Sequence, residues 1–197
     1  MRKWILTMAL AGLTLVGWTQ TTEWTFDPAH TKIRFVVTHM VISEVEGLFH
    51  SFEGKVMSDK DDFSDAKVEF KIDASSIDTD NDRRNGHLKS PDFFDVKKYP
   101  SLEFKSTKLE PAGSRTYKLY GDLTMHGTTK PVVLDLKYNG SITDGRGNKH
   151  AGFKAITTIN RMDWGLKWNH LLETGGAIVS SEVNIICNVE LVQVKSS

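Results

Sequence analysis

Histidines are the side chains of this sequence with the widest chemical scope, and two of the seven lie among alternating apolar residues. The alternation puts His39 on one face with Phe35 and Val37, and His50 on one face with Phe52. Two imidazoles pointing inward could bind a metal ion or exchange a proton. The spacing supplies no third protein ligand, so the sequence favours histidines hydrogen-bonded in a polar collar at one end of the fold.

No motif of a catalytic centre accompanies these histidines. The chain has no nucleophile elbow, phosphate-binding loop, HExxH pair or dinucleotide-binding glycine pattern. The acidic run Asp59–Asp65 lacks the glycine and terminal glutamate of a calcium-binding loop, and we interpret it as a solvated hairpin loop. The single cysteine, Cys187, excludes an internal disulfide and predicts a packed small side chain. We therefore predict no catalytic residue, no cofactor and no bound metal.

The composition is that of a globular chain with balanced charge. Its 197 residues include 25 lysines and arginines against 25 aspartates and glutamates, and 39% of residues are hydrophobic. The length fits one domain that is able to bury a core. Because no basic excess is present, nucleic acid is not an expected partner.

The N-terminal residues differ from the rest of the chain. Arg2 and Lys3 precede the almost uncharged run Trp4–Trp18, which is too short to span a bilayer comfortably. This arrangement is typical of a signal peptide, which we place over residues 1–19, before a mature domain over residues 20–197. We therefore expect a periplasmic or secreted protein with no stable membrane insertion once the signal peptide is removed.

From Trp24 onward the hydrophobic period is two, which indicates strands with one buried face. Turn-forming residues such as His126-Gly127 separate the segments, and no long amphipathic helix intervenes, so we predict antiparallel pairing. Asn81–Phe94 and Trp164–Glu173 are interpreted as loops with one helical turn each. The eight predicted strands lie around residues 32–39, 48–57, 67–73, 102–104, 117–125, 132–138, 153–159 and 183–191.

The periodicity leaves two architectures open, a closed barrel and a two-sheet sandwich. Bulky residues recur on the inward face of strand after strand, and an eight-stranded barrel is just wide enough to be filled by side chains or to hold one small ligand. The recurring aromatic residues are Phe35, Phe52, Phe70, Phe104 and Phe153.

A series of short motifs then runs through the whole mature chain. The motifs are Asp27–Thr31, Gly47–Phe49, Ala74–Thr79, Arg84–Asp95, Lys98–Pro100, Gly121–Val132 and Ile159–Gly165. In this order and at this spacing they resemble the YceI-like family of polyisoprenoid-binding, lipocalin-like periplasmic proteins. The sequence departs from the family pattern at Asn85, where Asp is common, at Gly86, where a longer polar residue is usual, and at Trp164, where Phe is more frequent.

The resemblance implies an all-β fold: a single eight-stranded antiparallel lipocalin-like barrel with short helical turns in its loops. It also implies a non-enzymatic carrier whose long apolar pore holds a polyprenyl lipid or a quinone. The loop with Arg84, His87, Phe93 and Phe94 would form the lid or mouth of the pore, and His39 is also a predicted ligand-binding residue. The remaining predicted ligand-binding residues are Phe35, Val37, Phe52, Phe70, Ile72, Phe104, Leu123, Met125, Phe153 and Trp164.

Two other functions remain open from the sequence. The first is a barrel enzyme acting on a small apolar substrate, with His39 or His50 as the acid or base. The second is a filled sandwich that serves as an interaction module through an exposed apolar patch. The resemblance also leaves a homodimer open, because some members of the family are dimers, although nothing in the sequence marks an interface.

Overall fold

The computed structural model describes residues 21–169 and 178–195. The predicted signal peptide, residues 1–19, lies outside the described residues, as does the end of the second predicted loop, residues 170–173. The described residues form eleven strands, one α-helix and two 3₁₀ turns. None of the helices in this part of the chain has the length and apolar character that are needed to cross a membrane.

The strands alternate buried and exposed residues over most of their length, as the period of two predicts. The helix α1 spans Asp82–Lys89, and the 3₁₀ turns span Ala74–Ser76 and Arg161–Trp164. The strands are β1 (Glu23–Phe26), β2 (Lys32–His39), β3 (Ser43–Phe49), β4 (Phe52–Met57), β5 (Lys67–Asp73), β6 (Ile77–Asp78), β7 (Ser101–Gly113), β8 (Thr116–Met125), β9 (Thr128–Thr143), β10 (Lys149–Asn160) and β11 (Val179–Gln193).

The sheet closes into an eight-stranded antiparallel barrel, which confirms the predicted fold class. The ring runs β1-β4-β5-β7-β8-β9-β10-β11, and β11 returns to β1 with Leu191 opposite Phe26. On the same edge β11 also pairs with β2, with Ile185 opposite Phe35, and β3 and β6 extend the sheet from there. Closure leaves the ring without a free strand edge, so the inward side chains enclose an interior.

Eleven strands are present because three of the eight expected barrel strands are each divided into two shorter strands. The prediction of one strand from Leu48 to Met57 was wrong: β3 ends at Phe49 and β4 begins at Phe52. The break lets β3 pair with β2 while β4 pairs with β1. The Ser51 carbonyl, left between the two strands, accepts a hydrogen bond from the Asp73 N–H at 2.9 Å.

The helix α1 is longer than the single turn that the sequence predicted. It begins after Asn81, whose side-chain oxygen accepts a hydrogen bond from the Arg84 N–H at 2.9 Å. This N-cap satisfies one of the free amides of the first turn. The loop after α1 carries Phe93 into the same buried cluster as Leu102 and Met125, and so holds the helix against one end of the barrel.

Gly127→Val is expected to lower the free energy of unfolding by about 1–3 kcal/mol. Gly127 has φ +73° and forms, with His126 at φ +50°, the turn between β8 and β9. A Cβ atom at Gly127 would lie 2.6 Å from Tyr99 Cε1, so valine would meet both backbone strain and a clash. Urea denaturation monitored by circular dichroism measures the change.

Two other glycines separate the strain from the clash. Gly147 also has a positive φ, +77°, but a Cβ atom there has no neighbour within 4 Å, and Gly145 has neither feature. We expect Gly127→Val to be the least stable variant, followed by Gly147→Val and then Gly145→Val. Equal stability of the Gly127 and Gly145 variants would show that neither the strain nor the clash at Gly127 matters for folding.

Candidate functional site

An apolar cavity of about 390 Å³ occupies the barrel interior. Aliphatic and aromatic side chains from the barrel strands form most of its wall. The polar residues on the lining come in equal number from α1 and the segments near it and from the strands: they are Thr79, Arg84, His87 and Arg161, and Arg34, His39, Tyr117 and Thr157. The cavity therefore suits a ligand that offers carbon–hydrogen surface along its length.

Thirteen of the fifteen predicted ligand-binding residues line this cavity. They do so because strand alternation turns them inward and because the loop after α1 folds over the same end. Their role in holding a ligand stays a prediction. The thirteen are Phe35, Val37, His39, Phe70, Ile72, Arg84, His87, Phe93, Phe94, Phe104, Leu123, Met125 and Phe153.

Phe52 and Trp164 are not part of the lining. The Trp164 indole is buried in the packed core, where its Nε1–H donates to the Leu123 carbonyl oxygen at 3.0 Å. This acceptor on a neighbouring strand satisfies the indole N–H away from the cavity. Phe52 packs beside Phe70, with ring centroids 5.5 Å apart. The sequence placed both residues on inward faces but could not show which inward side chains reach the cavity.

The surroundings of the lone thiol follow from its place on the barrel wall. Cys187 lies on the cavity wall, and its side chain is only partly covered by other atoms. Nevertheless, burial raises the pKa of the Cys187 thiol to about 12. Both observations fit a side chain whose accessible surface faces the cavity, which agrees with the predicted packing role.

Phe63 closes one end of the barrel, and this corrects the interpretation of Asp59–Asp65 as a solvated loop. Its ring is buried, 4.9 Å from the Trp24 ring and 5.0 Å from the Phe153 ring, measured between centroids. The Tyr117 hydroxyl donates to the Asp62 carbonyl at 2.7 Å and holds the loop in place. We call this end the Phe63 end. Phe63 is the one apolar residue in this acidic segment, so the sequence did not indicate that its side chain would be buried.

The opposite end, the α1 end, carries the predicted mouth residues. The His87 ring packs edge-on against Phe93 and Trp168, with centroid distances of 5.1 and 4.8 Å. His87 Nε2 also lies 2.9 Å from a carboxylate oxygen of Asp92. The structure therefore gives His87 a role in holding the loop together, and it places the same ring on the cavity wall.

Arg84 is likewise held by its own loop. Its Nε–H donates to the Thr79 hydroxyl at 2.8 Å, and its Nη2–H donates to the Thr79 carbonyl at 2.6 Å. Asn85 accepts hydrogen bonds from the Thr79 N–H and hydroxyl, and it donates to Asp78 at 2.8 Å. An ionised aspartate at position 85, as is common in the family, has no proton to donate to Asp78. Asn85, at which the sequence departs from the family pattern, is therefore part of the hydrogen-bond network of this loop.

Arg161 is the functional residue that sequence reasoning missed. Its guanidinium is buried beside the cavity, and it donates to four backbone carbonyls, those of Leu166, Trp168, Val179 and Ser180. Burial lowers the pKa of Arg161, although arginine stays charged at neutral pH. The side chain fastens two segments, 166–168 and 179–180, at the α1 end. In the sequence, Arg161 stood out only as a member of the motif Ile159–Gly165. The motif did not indicate which groups would accept its hydrogen bonds.

Neither predicted acid or base has the surroundings that general catalysis needs. His50 is exposed, 3.3 Å from an Asp78 carboxylate oxygen, and does not line the cavity. His39 lines the cavity, but no carboxylate pairs with it in the part of the chain that the structure describes. A general base needs reach to the substrate together with a group that orients it, and each histidine has only one of these.

One cluster within residues 21–169 and 178–195 has the spacing of metal ligands. Asp27, His30 and Glu190 bring their ligand atoms within 4.8 Å of one another. His30 Nδ1 already lies 2.8 Å from Asp27 Oδ2, and this hydrogen bond raises the pKa of His30. The arrangement is that of an exposed ion pair beside the turn between β1 and β2, outside the cavity.

Comparison with known proteins gives consistent matches over the whole barrel. The sequence profile of the YceI-like domain matches residues 24–191. A UPF0312 protein of Staphylococcus aureus is 36% identical over 170 residues, which cover 86% of this chain and 96% of that protein. The crystal structure of Burkholderia cenocepacia BcnA superposes with a TM-score of 0.73 at 25% identity, covering 84% of this chain and 98% of BcnA.

A third match shares the fold at low sequence identity. It is a polyisoprenoid binding domain from Saccharophagus degradans, implicated in plant cell wall breakdown. The two chains superpose with a TM-score of 0.63 at 14% identity, and the match covers 85% of this chain and 97% of that domain.

Proposed function

The chain belongs to the YceI-like domain family, and on that premise we propose that it is an exported carrier that holds one apolar, isoprenoid-type lipid inside its barrel. The observation that carries the proposal is the apolar cavity, whose wall offers almost no polar partner to a ligand. Transfer of a methylene group from water into such a site is favourable by about 0.8 kcal/mol. A long hydrocarbon chain therefore needs little polar recognition to bind.

Family and fold support a binding protein rather than an enzyme. The Saccharophagus domain, which binds polyisoprenoid, shares this fold, and the extended barrel suits a linear chain better than a compact substrate. Four of the eight polar lining residues belong to α1 and the segments near it, so we place the head group of a polyprenyl lipid or a quinone there and its hydrocarbon tail toward Phe63. This role requires no cofactor. Export follows from the predicted signal peptide over residues 1–19.

Native mass spectrometry tests the proposal directly. Protein purified from its own host without detergent should carry an added mass that dissociates on activation and matches an isoprenoid lipid. Protein freed of lipid and refolded should bind geranylgeraniol and a short-chain ubiquinone. Palmitic acid serves as the comparison ligand, because its hydrocarbon tail is apolar but carries no isoprene branches. A spectrum without added mass, together with no binding of either isoprenoid, would overturn the proposal.

A further inference from the structure

The tip of the hairpin between β2 and β3 exposes three consecutive large apolar side chains. Met40 is 41% exposed, Val41 is 68% exposed and Ile42 is 88% exposed. Single exposed apolar residues are ordinary on a protein surface, but three in succession at the tip of one hairpin are not. Because the tip lies beyond the paired residues His39 and Ser43, these side chains do not contribute to the barrel core.

The backbone of this tip is unfavourable for the residues that occupy it. Met40 has φ +50° and Val41 has φ +67°, and the Ile42 N–H donates to the His39 carbonyl at 3.2 Å. This is the geometry of a tight hairpin turn that favours asparagine and glycine, and a β-branched residue in it is strained. Neither folding nor solubility accounts for methionine, valine and isoleucine at these positions.

The tip lies next to the wall of the cavity. The Met40 N–H donates to the Ile178 carbonyl at 2.8 Å, and Ile178 lines the cavity. Val37 and Val45, directly opposite one another on β2 and β3, line it as well. A lipid that passes from the tip to the cavity at the α1 end would cross the pair His39 and Ser43 and then meet these apolar side chains.

We propose that Met40, Val41 and Ile42 insert into the surface of a lipid bilayer and dock the α1 end of the barrel there for lipid exchange. The inference rests on the proposed function, because a carrier of a water-insoluble lipid must collect its ligand from a membrane. Apolar side chains on an exposed element enter the boundary between head groups and acyl chains. A second copy of the chain fits less well, since a stable protein interface needs about 800 Å² on each partner, and a three-residue tip is convex and small.

The charges around the tip indicate whether the bilayer must contain anionic lipids. Glu44 and Glu46 follow the tip on β3, and both are exposed, while β2 contributes Arg34, which lies 3.4 Å from Glu46. No basic cluster lies on this hairpin to attract anionic lipids. Docking therefore depends on apolar contact, and it should proceed on uncharged phosphatidylcholine vesicles and persist at high salt.

The test uses vesicles of phosphatidylcholine that contain no isoprenoid. The variant Met40→Asn/Val41→Gly/Ile42→Ser removes the apolar tip and gives the turn residues that suit its backbone, so the barrel should stay folded. Co-flotation of the variant with vesicles should be at least about tenfold weaker than that of the parent. Ile142→Ser is the matched control, because Ile142 is 70% exposed but lies far from the tip. Ile142 pairs with His150 on β10, and His150 pairs with Val192 near the end of β11, whereas the tip adjoins the beginning of β11. The flotation of Ile142→Ser should equal that of the parent.

Three results would overturn the docking site. They are a parent protein that does not float with vesicles, equal flotation of parent and tip variant, and a tip variant that changes only the oligomeric state in sedimentation velocity. Binding of soluble farnesol, measured without vesicles, separates this inference from the carrier function. Flotation without farnesol binding would keep the docking site and count against the carrier function, which the native mass spectra then decide. Farnesol binding without flotation would keep the carrier function and refute the docking site.

Discussion

Ala155→Trp is expected to abolish binding of geranylgeraniol while leaving the barrel folded. Ala155 lies on β10 between Leu136 and Cys187 on the neighbouring strands, and all three side chains line the cavity. An indole at this position extends into the middle of the cavity and obstructs the path of a linear hydrocarbon chain. Overpacking of a filled core costs about 1–3 kcal/mol, but here the added ring points into a cavity of about 390 Å³.

Ile156→Trp is the matched control for this experiment. Ile156 is the next residue on β10, and strand alternation places its exposed side chain on the outside of the barrel. Binding is measured by native mass spectrometry, and circular dichroism and thermal unfolding verify that both variants fold. Undiminished binding by a folded Ala155→Trp variant would show that the lipid does not occupy the barrel interior at this level.

Arg161→Ala is expected to lower the free energy of unfolding by about 3 kcal/mol or more. The substitution removes every hydrogen bond from the guanidinium to the carbonyls of segments 166–168 and 179–180. A buried carbonyl without a donor costs about 1–3 kcal/mol, although the Val179 carbonyl keeps a donor in the Asn169 side-chain amide at 2.9 Å. Part of the loss is recovered where water reaches the carbonyls, so the effect is smaller than the sum over all of them.

Two further variants identify the cause of the Arg161 effect. Arg161→Lys keeps the charge but has a single nitrogen, which cannot reach all the acceptors, so its stability should lie between those of the parent and the alanine variant. Lys154→Ala removes an exposed cation from β10, the strand that precedes Arg161, and should change the free energy of unfolding by less than about 0.5 kcal/mol. Urea denaturation provides all three values. Equal stability of Arg161→Ala and Lys154→Ala would contradict the anchoring role of Arg161.

The sequence by itself determined the class of the fold and predicted thirteen of the side chains that line the cavity. Phe35, Phe70 and Phe104 could be placed inside because a strand turns every second side chain to the same face, which is a local property of the chain. The ordered motifs added the family and, through it, the closed barrel. The same local rule could not show that the strand is interrupted between Phe49 and Phe52. The interruption depends on tertiary structure, because β3 pairs with β2 whereas β4 pairs with β1.

Only the tertiary structure decided what individual side chains do at the two ends of the barrel. Arg161 is satisfied by carbonyls up to 19 residues away, Phe63 is held among aromatic rings from three strands, and Trp164 finds its acceptor on β8. The exposure of Met40–Ile42 likewise became visible only in the folded structure. Alternation constrains the face of a side chain, but hydrogen-bond partners and solvent exposure arise from segments that are distant in sequence, so no local pattern encodes them.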